Sequence, residues 1–169
     1  GRLTAGTLTV RGDFTQAGGA PDAFSAGIGH TVVLDGPATQ TVTLLNPDAT
    51  FSLPCAASCF GTLRSLRNAG TGTLQIGSDL KALATIDVSG EGLLASGFTL
   101  VSAGTPSLAA DVVTAARVGW QDALVRPGGS FLVDTLVAWG TGTLIVGEVV
   151  PTVVLGTYAV AGTHTAGIS

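Results

Sequence analysis

The chain has 169 residues, of which 11% are charged and 46% are apolar, and its formal net charge is -4 at pH 7. This length fits one domain, 1–169, and so few charged residues leave little material for the solvated faces of helices. The basic residues are scattered singly, which argues against a nucleic-acid partner or an anionic lipid surface. Every apolar run is interrupted before the roughly 18 to 20 residues that a spanning helix needs, so no membrane span is predicted.

Short strands are predicted wherever a threonine is followed by an apolar residue, any residue and a second apolar residue. In chain order the unit occurs as TLTV at 7, TVVL at 31, TVTL at 41, TLRSL at 62, TLQI at 73, TIDV at 85, TLV at 99, TLIV at 143 and TVVL at 152. Alternation of this kind is typical of a strand with one buried face. The sequence therefore predicts an all-β protein.

Longer repeats indicate how the strands are arranged. GTGTLQIG at 70–77 recurs as GTGTLIVG at 140–147, and TLTVRGDF at 7–14 aligns with TLQIGSDL at 73–80. Turns of roughly 22 residues account for these offsets as about three turns each, which predicts a parallel β-helix, or β-solenoid, of about seven coils. The alternative is an antiparallel β-sandwich, in which HTVVLDGPATQTVTLL at 30–45 forms a hairpin.

The first predicted corner contains Arg11, Gly12 and Asp13, the tripeptide that integrin-type receptors bind. Its alignment with the segment at 73–80 explains Gly12 and Asp13 as corner residues and leaves only Arg11 without a role. A short motif without further context is weak evidence for recognition. The segment is therefore interpreted as part of a coil.

The two cysteines, Cys55 and Cys59, lie between two predicted strands. A disulfide in an oxidising compartment is the favoured interpretation, with reactive thiols or an intermolecular bridge as alternatives. The two histidines, His30 and His164, are distant from each other in sequence, and no Cys-x-x-Cys-His motif occurs. No metal, no cofactor and no catalytic residue are therefore predicted.

The stretch 112–129 departs from the strand pattern and is predicted to be an irregular loop or insertion. It contains Trp120 and Arg126, which are candidate ligand contacts because an exposed indole can stack on a sugar ring. The favoured interpretation, however, is that Trp120 anchors the loop by packing and that Trp139 packs at the edge of a coil.

Three segments carry a resemblance to a known class of protein: GTLTVRGDFTQ from 6, GHTVVLDGPATQTVTLLNP from 29 and LRNAGTGTLQIGSDL from 66. They resemble the Gly/Thr-rich repeats of secreted bacterial surface proteins, of the autotransporter-like and filamentous-haemagglutinin-like adhesin type. The resemblance implies a parallel β-helix outside a bacterial cell that serves as adhesin, stalk or fibre. It brings no catalytic motif with it.

The expected function is a non-enzymatic structural protein of the cell surface, because a short solenoid exposes an unpaired coil at each end. Its partners would be other copies of itself or neighbouring repeats of a longer chain. The alternative is an adhesin or glycan-binding module that uses Trp120 and binds host or surface glycans. A β-helix polysaccharide lyase or hydrolase is the weakest candidate, since it needs clustered carboxylates and the aspartates here lie singly beside turns.

Overall fold

The computed structural model describes residues 3–67, 71–127, 129–139, 143–146, 152–160 and 165–168. These residues contain no helix, and their strands join in one sheet of thirteen strands. The strands are β1 (Leu3–Val10), β2 (Phe14–Gln16), β3 (Ala26–Leu34), β4 (Gln40–Leu44), β5 (Phe60–Ser65), β6 (Thr73–Ile76), β7 (Leu80–Ser102), β8 (Ser107–Trp120), β9 (Ala123–Arg126), β10 (Ser130–Ala138), β11 (Thr143–Val146), β12 (Thr152–Val160) and β13 (Thr165–Ile168).

The strands stack in parallel along three sides of a β-solenoid of about seven turns, so the predicted fold is confirmed and the antiparallel sandwich is wrong. The first side follows the order β1-β3-β5-β7-β8-β9-β11-β13. The second side contains β2, β4, β6 and β12 together with the middle parts of β7 and β8 and the start of β10. The third side is formed by the last four paired residues of β7, β8, β10 and β12. Paired residues of adjacent coils are 31 residues apart at Thr31 and Thr62 but only 18 apart at Ser107 and Val125.

Period-2 alternation builds the core. On the first side Thr7, Thr31, Thr62 and Thr85 pair in succession and form an outward column. The residue after each threonine points inward, and three of these, Val32, Leu63 and Ile86, are almost completely buried. The apolar interior runs from coil to coil as one continuous cluster. Each coil therefore depends on its neighbours for burial of its inward side chains.

The sequence repeats do not mark equivalent coil positions, so that part of the prediction is wrong. Thr7 lies on the first side, whereas Thr73 lies on the second side, where it pairs with Gly92. Thr143 is again on the first side, paired with Ala123. The repeated unit is therefore one strand with its following corner, which different sides of the solenoid use in turn.

The described residues of 112–129 do not form an irregular loop, and the prediction of an insertion there is wrong. Val112–Ala115 and Arg117–Trp120 pair on both sides, with β7 and with β10. Bulky Trp120 fits inside the third side because its stacked neighbours, Ser102 and Ala138, are small. Close packing of large against small side chains is what allows the coil to stay regular there.

The real insertion is the segment 45–59, between β4 and β5, which we call the cover loop. Its two ends are joined by hydrogen bonds from the Asp48 amide to the Ser58 carbonyl, 3.0 Å, and from the Ser58 amide to the Asn46 carbonyl, 2.9 Å. The loop lies along the outside of the third side. There Leu100, Val101 and Ser102 are all buried although successive strand residues point to opposite faces, because both faces are covered.

Candidate functional site

Trp120 and Arg126, the two candidate ligand contacts, are fully buried. A side chain without exposed surface cannot stack on a sugar or meet a ligand at the protein surface. The prediction that they contact a ligand is therefore wrong. Both side chains belong to the interior of the coils that 112–129 was expected to interrupt.

The Arg126 guanidinium holds a corner of the solenoid together. It donates hydrogen bonds to the carbonyl oxygens of Leu108 and Ala110, both at 2.7 Å, and to that of Ser130 at 2.9 Å. Burial lowers the pKa of Arg126, and the negative charge of Asp111 partly offsets this effect. The guanidinium thereby satisfies three backbone acceptors at the corner between the first and second sides.

Cys55 and Cys59 form the predicted disulfide, with their Cα atoms 6.5 Å apart. Cys59 is fully buried and joins the stack, because its amide donates to the Phe24 carbonyl and its carbonyl accepts from the Ala26 amide. The disulfide consequently ties the cover loop to the body of the solenoid.

Asp48 is the centre of the cover loop. Its carboxylate accepts hydrogen bonds from the Thr50 amide at 2.8 Å, the Thr50 hydroxyl at 2.6 Å, the Ala56 amide at 2.8 Å and the Lys81 ammonium at 3.0 Å. Burial on its own raises the pKa of Asp48, but these hydrogen bonds prevail and lower it from 3.8 to about 2. The Lys81 ammonium also donates to the Thr50 hydroxyl and the Ser52 carbonyl. Asp48 and Lys81 form an ion pair whose side chains are 1% and 0% exposed.

The tip of the cover loop fits into a notch on the third side. A Cβ atom at Gly119 would overlap the ring of Phe51, so only glycine leaves room for that ring. Phe51 also lies 5.6 Å from Trp139, measured between ring centroids, and the Arg117 guanidinium lies 5.0 Å from the Phe51 centroid. Trp139 thus packs at the edge of a coil, against the cover loop, and the loop reaches from the second coil to the strands β8 and β10.

Strand β1 lies at one edge of the described sheet. Its only partner among the described residues is β3, and residues 3–9 are all exposed. Leu8 is 40% exposed, whereas the residues stacked on it in the next two coils, Val32 and Leu63, are 0% exposed. The strand sequence, LTAGTLTV, contains neither a charged residue nor a proline.

The Arg-Gly-Asp segment lies at the corner between β1 and β2. The Asp13 carboxylate accepts a hydrogen bond from the Thr41 amide at 2.7 Å, and the Gly12 carbonyl accepts one from the Gln40 side chain. Asp79, which aligns with Asp13 in sequence, accepts from the Thr99 amide at 2.7 Å. At different corners, the two aspartates therefore make the same bond, in which the carboxylate joins its corner to a backbone amide of the following coil.

Comparison with known proteins adds no family or relative. No family model, curated protein or solved structure matches the chain. Within the described ranges, no helix is long and apolar enough to cross a membrane. In the same part of the chain, no three residues of the His, Cys, Asp and Glu types come together as a metal site. His30 is buried, and His164 lies outside the described residues.

The sequence did not reveal the roles of Asp48, Phe51 and Lys81, nor the groove that lies beside the Arg-Gly-Asp corner. One signal was available, because Lys81 is the only lysine of the chain. A single lysine inside an apolar strand pattern indicates a buried charge with a partner, since buried ammonium groups are almost always paired. No pattern in the sequence shows that the partner is in 45–59.

Proposed function

We propose that this protein is a non-enzymatic structural unit of a fibre, filament or stalk outside the cell, and that it associates end to end. The observation that carries the proposal is the edge of β1. Natural edge strands are short or carry charges and prolines that prevent pairing. This edge has eight residues and none of these protective features. Such an edge is suited to pairing with a further parallel strand.

The gain from covering the edge can be estimated from Leu8. A strand laid on β1 would take the exposed 40% of this side chain out of water, as a preceding coil does for Val32. That burial contributes about 1 kcal/mol, to which the other residues of the strand add. The backbone N–H and C=O groups along the outer side of β1 would gain partners as well. A neighbouring copy, or a further coil of a longer chain, can supply this strand.

Other features support a structural role outside the cell. The Cys55–Cys59 disulfide favours an oxidising compartment. Asp13, Asp48 and Asp79 use their carboxylates to hold corners and the cover loop, which leaves them without catalytic work. The Gly/Thr-rich repeats resemble those of bacterial surface fibres, which agrees with this assignment. The alternative of a glycan-binding module at Trp120 loses its basis, because the indole is buried.

Analytical ultracentrifugation and negative-stain electron microscopy over a range of concentrations test the proposal. The wild-type protein is expected to form end-to-end rods whose length increases with concentration. Leu8→Lys places a charge on the edge and should abolish association, whereas Leu132→Lys should not, because Leu132 is equally exposed, at 40%, but lies in a strand paired on both sides. Single particles at every concentration would refute self-association, and so would equal effects of the two substitutions.

A further inference from the structure

A shallow groove follows the corner between the first and second sides of the solenoid. One part, of about 320 Å³, is lined by Arg11, Asp35, Gly36 and Pro37. The adjoining part, of about 290 Å³, shares the last three of these residues and adds Leu66, Arg67 and Thr71. The shared residues make the two parts one groove that runs along the solenoid axis past the Arg-Gly-Asp corner. We call it the corner groove.

Each described arginine or lysine outside the corner groove contacts a partner within the protein. Arg64 pairs with Asp87, Lys81 pairs with Asp48, Arg117 lies on Phe51, and Arg126 binds carbonyl oxygens. In contrast, no hydrogen bond or ion pair joins the Arg11 guanidinium to any residue that the structure describes. Among the described arginines and the lysine, Arg11 is therefore the one without a hydrogen-bond, ion-pair or ring partner, so its charge is available to a ligand.

Arg67, in the other part of the groove, is fixed in position. Its guanidinium donates to the Ser65 hydroxyl at 3.1 Å, to the Ala38 carbonyl and to the Gln40 side-chain oxygen. A guanidinium has five N–H groups, so these three bonds leave two for a further acceptor. Its position is preset, which lowers the entropy lost when a ligand binds.

The remaining lining groups define the chemistry of the ligand. The Asp35 carboxylate accepts no hydrogen bond from the described residues. As a carboxylate, it can bind only a group that donates a hydrogen bond. Pro37 and Leu66 provide apolar surface, and Leu66 is 51% exposed. A ligand that matches all of them has an anionic group for the arginines, hydroxyl donors for Asp35 and an apolar face for Pro37 and Leu66.

We propose that the corner groove binds an acidic sugar, in which a uronate carboxylate pairs with Arg11, ring hydroxyls donate to Asp35, and the ring lies on Pro37 and Leu66. Two arginines and one aspartate give the groove a net single positive charge, which matches the carboxylate of one bound uronate. A peptide has less to bind, because β3 and β5 are paired on both sides and the free edge of β1 ends at Val10, before the groove.

Isothermal titration calorimetry with a galacturonic acid tetrasaccharide tests the site, with the methyl-esterified tetrasaccharide as the neutral control. The free acid is expected to bind saturably and more weakly as salt is added, and the ester to bind at least tenfold less well. Arg11→Ala should weaken binding of the acid tenfold or more, as expected for loss of a charged hydrogen bond. Arg64→Ala should leave it unchanged, because Arg64 lies on the first side and pairs with Asp87.

Three results would overturn the assignment. These are no binding of the acid form at millimolar concentration, equal binding of acid and ester, and equal losses in the two arginine variants. An oligoglutamate peptide that binds more tightly than the tetrasaccharide would also overturn it and identify an acidic peptide as the ligand. End-to-end association is measured separately, so failure of this site leaves the structural proposal untouched.

Discussion

The Asp48–Lys81 pair gives the sharpest test of how the cover loop is held. Asp48→Asn removes the carboxylate that accepts four hydrogen bonds, one of them from the Lys81 ammonium. The pKa of Asp48 is lowered from 3.8 to about 2 in the folded protein. At 1.36 kcal/mol per pKa unit, ionised Asp48 stabilises the folded state by about 2 kcal/mol at neutral pH.

The sign of the pH dependence follows from the direction of this shift. Because the folded pKa lies below the unfolded one, the stabilisation is complete above about pH 4 and is lost as the pH falls through 2. Asp48→Asn lacks this contribution at every pH and leaves the Lys81 ammonium buried without its counter-charge. The difference in stability between the wild type and the variant should therefore shrink by about 2 kcal/mol between pH 4 and pH 2.

Urea denaturation at pH 7, 4, 3 and 2, followed by tryptophan fluorescence, measures the effect. Trp139 is a local probe, since its ring contacts Phe51 of the cover loop. Asp87→Asn is the matched control, because Asp87 pairs with Arg64 at the surface, where an ion pair contributes at most about 1 kcal/mol. This role of Asp48 is refuted if the wild-type and Asp48→Asn stabilities differ by the same amount at pH 4 and pH 2, or if Asp87→Asn reproduces the effect.

Three further predictions concern the notch, the disulfide and the buried corner. Gly119→Ala should destabilise the protein by about 1 to 3 kcal/mol by displacing Phe51, and Phe51→Ala in the same chain should recover part of the loss, a coupling that a double-mutant cycle measures. Thermal unfolding should shift downward in reductant by the equivalent of about 2 kcal/mol for so short a loop, and a variant with Cys55→Ser and Cys59→Ser should melt at the reduced position with or without reductant. Arg126→Leu leaves buried carbonyl oxygens without donors and should cost about 3 kcal/mol in chemical denaturation, and an unchanged midpoint would contradict the corner role.

The stacking of the strands could be predicted because it rests on a local signal. Alternating threonine and apolar residues determine which way each side chain points, and this fits the columns that begin at Thr7 and Leu8. The repeats gave the right fold for a wrong reason, since Thr7 and Thr73 lie on different sides. A corner motif determines the local bend of the chain. It does not determine which of the three corners of the solenoid that bend forms.

The interior of 112–129 could not be predicted because its fit depends on neighbours in space. Trp120 reads as irregular in sequence, yet it packs between Ser102 and Ala138, which are each 18 residues away. Arg126 reads as exposed for the same reason. Its carbonyl partners are brought together only when the corner folds, so the sequence does not show that the guanidinium is buried.

The cover loop also fixes how far the solenoid can vary in length. Asp48 of the loop is held at Lys81, and Phe51 at its tip is held at Gly119. The loop therefore spans a fixed number of coils along the third side. Adding or removing one coil between these two anchors would move the notch by about 4.8 Å relative to the tip. Coils can be duplicated or deleted outside this interval without disturbing the loop, and an engineered or naturally lengthened relative should therefore grow beyond the anchors and not between them.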